Sequence, residues 1–264
     1  PILAGGLLIL IQRRPLLSSL LASGACLVLA LWAGFLPMDQ AIILGTSRIT
    51  IASSVDILGR QIVLNQESLG AVILVFAIGA FWFLGIRPAS APRRLAPLGM
   101  ILLGLAVATM AVRPFLYSAI ILEVFVLVSV PLFVPSGQAP GNGVLRYIIF
   151  MSLALPFVLL AGAMAGQVEQ SSIGNNLILF AVILLLLGFA FWLAVFPLNT
   201  WVPMLSEEAH PFVIGFVLSI LSTIVLLMLR TFMNEFTWLG NYPDLPIYLK
   251  VSGVVMVASA GILA

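Results

Sequence analysis

The sequence predicts an all-α protein, a polytopic bundle of transmembrane helices. Hydrophobic residues make up 62 % of the 264 residues and charged residues only 8 %, whereas a water-soluble domain carries about 25 % charged residues. Eleven basic and nine acidic side chains cannot cover the surface of a soluble globule of this size. Apolar runs near the bilayer-crossing length of about 20 residues recur along the chain. We therefore expect residues 1–264 to form a single transmembrane domain.

About eight of these runs are long enough to cross a bilayer. They lie at 15–36, 70–86, 95–112, 115–134, 145–165, 174–197, 212–232 and 249–264. A shorter apolar run at 1–11 and the last run, which stops at residue 264, both look truncated. The pattern thus predicts about eight spans plus a truncated one, in a segment of a longer protein.

The arginines predict how the spans are oriented, because cytoplasmic loops are enriched in Lys and Arg. If successive spans alternate in direction, the loops 12–14 and 87–94 fall on one side together with Arg146. Most acidic residues fall on the other side. We therefore expect a multi-pass plasma (inner) membrane protein with loops 12–14 and 87–94 in the cytoplasm. The net charge of +2 reflects these edge arginines and does not indicate a nucleic-acid partner.

The connector 38–69 is the longest polar segment, and the alternation of spans puts it outside the membrane. Residues 48–53 and 61–64 are rich in β-branched side chains and partly alternate with polar ones, on either side of Gly59. Such a pattern around a glycine is typical of a hairpin. We expect a small external β-hairpin near 48–64.

Glu123 is the residue that most strongly suggests chemistry. It lies midway along the apolar run 115–134, and an acid at the bilayer centre costs about 2.5–3.5 kcal/mol on insertion scales. Such a residue normally faces a bundle interior or a water path, so Glu123 is a candidate for a proton relay or an ion pair. The alternative is a protonated carboxyl that holds two helices together by a hydrogen bond.

A second candidate is the interrupted helix near 188–203. Pro197 and Pro203 bracket Asn199 and Trp201, and proline removes a backbone donor from a helix. Non-helical backbone at membrane depth is tolerated where it is buried in protein or lines a wet cavity, as in transporter ion sites. The alternative is a helix that ends at Pro197 and continues into a cytoplasmic loop.

This stretch resembles a signature of the antiporter-like membrane subunits of NADH:quinone oxidoreductase (complex I), a family shared with multisubunit cation/proton antiporters and membrane-bound hydrogenases. The family's run is G-x-x-F-K-x-A-x-x-P-F-H-x-W-x-P-D, followed by E-A-P-x-P-V. Residues in register with it are Gly188, Phe191, Ala194, Pro197, Trp201, Pro203, Glu208, Ala209 and Val213. The segments 145–150 and 229–232 are similar to the family's L-K-Y-F-x-F and L-R-x-F. Glu123 matches the family's helix-five glutamate.

The sequence departs from the family where the resemblance implies chemistry. The lysine expected in helix seven is replaced by Trp192, the histidine of P-F-H by Asn199 and the aspartate after W-x-P by Met204. A helix-eight lysine or histidine would fall near Ser222. A tryptophan carries no charge to pair with a carboxylate. The segment 174–232 therefore resembles an ion path that lacks its lysine.

The resemblance implies a membrane subunit of a complex-I-type, redox-driven proton-translocating assembly that holds no redox cofactor or metal itself. Its partners would be other membrane subunits, quinone-handling subunits and lipid. Glu123 would carry the proton, with Ser222 and Thr223 supporting a water chain and Pro197 interrupting the helix. Two alternatives stay open: a scaffold subunit that moves no ions, and an independent transporter, which would carry more intramembrane charge.

Overall fold

A computed structural model describes residues 1–35, 41–44, 47–50, 54–57, 59–64, 66–135, 137–170, 175–236 and 245–263. Of the described residues, 80 % are helical, so the helical class predicted from the apolar runs is confirmed. The predicted boundaries at residues 38, 174 and 264 lie outside the described residues, as does part of the expected hairpin.

The described helices follow the apolar runs. Before the break they are α1 (Ile2–Ile11), α2 (Pro15–Phe35), α3 (Gln66–Gly85), α4 (Leu95–Ala111), α5 (Phe115–Phe133), α6 (Asn142–Gln170) and α7 (Asn175–Trp192). After it they are α8 (Trp201–Glu208), α9 (Pro211–Glu235) and α10 (Leu245–Leu263). Every predicted run overlaps one of these helices.

Among the described residues, five helices are long and apolar enough to cross a membrane. They are Pro15–Phe35, Ser68–Gly85, Leu116–Phe133, Asn142–Met164 and Pro211–Glu235. The predicted count of about eight spans is thus not confirmed. In the other three predicted runs, the apolar helices are at most 17 residues long. For example, the 17 residues of α4 extend about 26 Å at 1.5 Å per residue, against a hydrocarbon core about 30 Å thick.

The connector between α2 and α3 forms two hairpins where we expected one. Strands β1 (Ala41–Leu44) and β2 (Ser47–Thr50) pair antiparallel, and so do β3 (Ser54–Ile57) and β4 (Arg60–Val63). A hairpin therefore lies within the predicted range 48–64, although its first strand begins at Ser54 and not at Arg48. Gly59 adopts a positive φ of 73° between β3 and β4, and such a tight turn pairs the residues immediately beside it. A short strand β5 (Val112–Arg113) joins β4 on its other edge.

The chain divides into two compact units. The first comprises Pro1–Leu132 and His210–Ile224. In it, α1 packs against α4, and Gly5 lies so close to Ile101 that an added Cβ would be 2.6 Å from the isoleucine side chain. The hydroxyl of Ser23 on α2 donates to the carbonyl of Ala80 on α3, with an O···O distance of 3.1 Å.

The second unit comprises Phe133–Ala209 and Val225–Ala264. Its core is the pair α6 and α7, with the short helix α8 packed on the first turns of α6. An added Cβ on Gly188 would lie 2.6 Å from the Val158 side chain, so only glycine lets α7 approach α6 this closely. The interrupted segment singled out from the sequence begins at this contact.

Candidate functional site

Glu123 is the ninth residue of the 19-residue helix α5. Leu122, Phe125 and Val126 form the buried side of this helix, while Val124 and Leu127 are exposed. With about 100° between successive residues, Glu123 falls on the border between the two faces. Its side chain is half-buried, and its Oε2 atom is fully buried. The structure thus places one carboxyl at the middle of a candidate span, along the edge of its packed face.

Two buried hydroxyls flank this carboxyl along α5. Ser118 donates to the carbonyl of Val112, and Ser129 donates to the carbonyl of Val126. Both lie near the centre of the packed face, more than 100° around the helix from Glu123. They therefore satisfy backbone carbonyls and do not extend a polar row from Glu123.

The predicted water-chain residues lie on α9. Thr223 is half-buried and its hydroxyl donates to the carbonyl of Ser219 at 2.7 Å. This bond to the preceding turn is the usual arrangement of threonine inside a helix. Ser222 is exposed, whereas Leu221 and Ile224 beside it are buried. The structure therefore puts Ser222 and Thr223 on different sides of α9, and only Thr223 lies next to the packed face.

The interruption after α7 is built from backbone hydrogen bonds. Ala194 has a positive φ of 50°, and its N–H donates to the carbonyl of Phe191 while the N–H of Val195 donates to that of Ala190. This is a Schellman motif, which ends a helix. The predicted run to 197 is therefore five residues too long. Pro197 favours this early end because proline disfavours helical backbone at the residue before it.

Pro203 lies in the first turn of α8 and does not break a helix. It is the third residue of Trp201–Glu208, where a missing N–H costs little because the first N–H groups of a helix lack intrahelical partners. Asn199 is half-buried, and its carbonyl accepts the N–H of Val202 at 3.0 Å. The four residues predicted to mark the interruption thus lie in or beside a non-helical stretch between α7 and α8.

Trp192 closes α7 and binds the backbone of α6. Its indole N–H donates to the carbonyl of Met151 at 3.2 Å, and only 2 % of the side chain is exposed. The accepting carbonyl lies one turn before Pro156, which α6 carries in its interior. Phe191 beside it stacks on Phe157 with ring centroids 5.8 Å apart. At the position of the family's lysine, this chain therefore has a neutral donor fixed to a neighbouring helix.

Trp201 is buried at the start of α8, where its ring packs on that of Tyr147 with centroids 5.2 Å apart. Tyr147 in turn packs edge-on against Phe133. Only 1 % of Trp201 is exposed, and no described residue offers an acceptor to its indole N–H. A buried N–H of this kind is normally satisfied by an ordered water or by another acceptor. The start of α8, within the second unit, therefore carries a buried indole N–H donor for which the described residues offer no acceptor.

Glu208 is in register with the family motif, but its structural contact with α6 was not predicted from the sequence. Its carboxylate accepts the N–H of Gly143 at 2.8 Å and that of Val144 at 3.2 Å. These are N–H groups of the first turn of α6, which lack helical partners and lie at the positive end of the helix dipole. The capped helix begins about 65 residues earlier in the chain, so no local pattern could reveal the contact. Among the described residues, His, Cys, Asp and Glu form no group of three that could hold a metal ion.

Neither a protein-family model nor a curated protein matches this chain. The family resemblance therefore rests on the sequence motifs around 145–150 and 188–232 and on Glu123.

Proposed function

We propose that this chain is an antiporter-like membrane subunit of a complex-I-type, redox-driven proton-translocating assembly. Its path for protons lacks the helix-seven lysine, because Trp192 occupies that position. The observation that carries the proposal is the carboxyl of Glu123, half-buried in the middle of a candidate membrane span.

The energetics of Glu123 favour a functional role. An acid at this depth costs about 2.5–3.5 kcal/mol on insertion scales, and Gln or Leu at the same place would cost less. The border position on α5 leaves the side chain half-buried, with one carboxylate oxygen fully buried against packed side chains. A carboxyl placed in this way can exchange a proton with a water path or with a partner subunit.

The interruption between α7 and α8 supports the same reading. It combines non-helical backbone at 193–200 with the buried indole N–H of Trp201, to which no residue in the described part of the chain offers an acceptor. Non-helical backbone among membrane helices belongs where protein or water satisfies it, and a water chain would supply the missing acceptor. In this proposal Thr223 lines the path, and Ser222 faces a neighbouring subunit or lipid.

The proposed arrangement in the membrane has about eight spans, with the shorter apolar helices crossing beside the five long ones. The protein then lies in the plasma (inner) membrane. Loops 12–14 and 87–94 face the cytoplasm, and the segment 38–69 lies outside. The partners are other membrane subunits, including quinone-handling ones, together with lipid. The chain itself carries no redox cofactor.

The test is Glu123→Gln in the complete parent assembly, purified with its partner chains and reconstituted into proteoliposomes. We expect redox-driven proton uptake per electron to fall, since glutamine has the shape of glutamate but cannot release a proton. The matched control is Glu207→Gln, which removes one exposed carboxyl at the end of α8 and should leave proton uptake unchanged. Unaltered pumping in an intact Glu123→Gln assembly would remove the proton relay.

A second candidate function is a scaffold subunit that moves no ions. Trp192 favours it, because the residue at the lysine position is neutral and hydrogen-bonded to α6. On this alternative, Glu123→Gln leaves pumping unchanged, whereas disrupting the α6–α7 contact releases partner chains. Co-purification of the partners with each variant therefore distinguishes the two functions.

A further inference from the structure

Five exposed arginines occur in two short connections of the first unit. Arg13 and Arg14 lie between α1 and α2, and Arg87, Arg93 and Arg94 lie between α3 and α4. About 75 residues separate the two groups in sequence. We call these five residues the basic end.

The packing of the helices brings both connections to the same end of the first unit. Gly104 lies beside Ile2, and Gly5 lies beside Ile101, so α1 and α4 run antiparallel. From the pair of Gly5 and Ile101, Arg13 is eight residues further along the chain and Arg93 is eight residues back. At 1.5 Å per helical residue, both arginines lie roughly 10 Å beyond that pair, in the same direction.

The contact between α2 and α3 gives the same result independently. Ser23 donates to the carbonyl of Ala80. Gly34 further along α2 lies beside Ile73, earlier in α3, so these two helices also run antiparallel. Arg14 lies nine residues before Ser23, and Arg87 lies seven residues after Ala80, so these arginines extend beyond one end of the pair by roughly 10–14 Å. Two separate helix pairs therefore place both connections at the same end of the first unit.

The connections hold the arginines in defined turns. The N–H of Arg14 donates to the carbonyl of Ile11, the N–H of Ser90 to that of Arg87, and the N–H of Ala91 to that of Ile86, at 2.9–3.0 Å. The sequence has no aspartate or glutamate at 1–38 or 68–122. The helices α1 to α4 therefore bring five positive charges to this end and no carboxylate from their own apolar stretches.

An exposed apolar surface borders the basic end. Leu16 and Leu17 follow Arg14 in the first turn of α2, and both are exposed. In the last turns of α3, before Arg87, Phe81 is 77 % and Leu84 is 54 % exposed. Free phosphate or an acidic protein segment would use the arginines alone. A phospholipid uses both surfaces, with its phosphate at the arginines and its acyl chains along the leucines and Phe81.

We propose that the basic end binds the phosphate headgroups of anionic phospholipids. The guanidinium group matches phosphate with two parallel N–H···O bonds. Basic residues at a membrane surface attract anionic lipid by about 1 kcal/mol each, or about fivefold in affinity. This inference holds whether or not the chain conducts protons.

The test uses the delipidated full chain in detergent and counts bound lipids by native mass spectrometry. Phosphatidylglycerol is titrated against phosphatidylcholine with the same acyl chains. We expect tighter binding of phosphatidylglycerol by at least tenfold. The double variants Arg13→Gln/Arg14→Gln and Arg87→Gln/Arg93→Gln should each lose about 25-fold in phosphatidylglycerol affinity, which is two fivefold steps. The matched control, Arg60→Gln/Arg230→Gln, removes two exposed arginines that the proposed topology puts on the other side of the membrane, and it should lose at most about twofold.

Three results would overturn the proposal. The first is equal binding of the two lipids by the parent chain. The second is a loss in the control variant as large as in the basic-end variants. The third is displacement of phosphatidylglycerol by millimolar inorganic phosphate, which would assign the arginines to free phosphate. If a glutamine variant does not fold, Arg→Lys at the same positions keeps the charge, and its phosphatidylglycerol preference over phosphatidylcholine should persist.

Discussion

Glu208 provides the most quantitative test of the described geometry. Its carboxylate accepts two N–H groups of the first turn of α6, at 2.8 and 3.2 Å. Replacing a capping residue by alanine costs about 0.5–2 kcal/mol, and a carboxylate near a helix N-terminus adds about 0.3–1 kcal/mol. Because Glu208 is exposed, solvent screens part of this interaction. We therefore expect Glu208→Ala to lower the free energy of unfolding by about 1 kcal/mol.

Hydrogen exchange locates the effect as well as measuring it. In the parent chain, the amides of Gly143 and Val144 are bonded to Glu208, so they should exchange slowly for the start of a helix. A loss of about 1 kcal/mol corresponds to about fivefold faster exchange of these two amides. The measurement is exchange followed by mass spectrometry of peptides that begin at or before residue 141, so that both amides retain their label, in detergent micelles, with denaturant unfolding alongside.

Glu207 is the matched control, because it is the adjacent residue, carries the same charge and is exposed. Glu207→Ala should change the free energy of unfolding by no more than about 0.5 kcal/mol and leave the two amides protected. Equal effects of both variants, or unchanged exchange in Glu208→Ala, would refute the capping contact. Glu208→Gln should fall between Glu208→Ala and the parent chain, since it keeps one acceptor oxygen but no charge.

Three further predictions follow from the same contacts. Trp192→Phe removes the indole donor to the α6 backbone and should lower the free energy of unfolding by about 1 kcal/mol. The control Trp32→Phe changes a side chain that is 62 % exposed and should alter the free energy of unfolding little. Equal losses in the two variants would contradict the indole contact. Ala194→Gly should raise the free energy of unfolding by about 0.5–1 kcal/mol in denaturant melts, because glycine adopts the positive φ of the Schellman motif without a Cβ clash, and a destabilised glycine variant would rule this geometry out. The orientation of the chain in the membrane predicts that a membrane-impermeant maleimide added to intact cells labels Ser54→Cys and spares Ser90→Cys. The background is low because the single native cysteine is buried. The reverse labelling pattern would contradict the proposed topology.

The helical part of the fold could be predicted because burial in lipid imposes one requirement on every span. Each apolar run had to form its own backbone hydrogen bonds, and helix formation satisfies all of them within the segment. Helix ends were less predictable. The run to 197 stops at Trp192 because Ala194 closes a Schellman motif, and an alanine with positive φ carries no signal in the sequence.

Contacts between distant residues account for the rest of the difference. The hairpin register depended on the tight turn at Gly59, which pairs β4 with β3 and excludes the 48–53 segment. The capping of α6 by Glu208 and the bond from Trp192 to Met151 join residues 41 or more positions apart. Glu123 was identifiable because an acid in an apolar run is costly wherever it lies, but its border position on α5 depends on which neighbours are packed.

The central claim is that the carboxyl of Glu123 carries protons through a redox-driven assembly. Its most direct test is proton uptake per electron by the intact parent assembly in proteoliposomes, compared between Glu123 and Glu123→Gln. We expect a lower proton-to-electron ratio in the variant, with all partner chains retained. The Glu207→Gln assembly should keep the parent ratio. A variant that retains all partner chains and pumps at the parent ratio would contradict it.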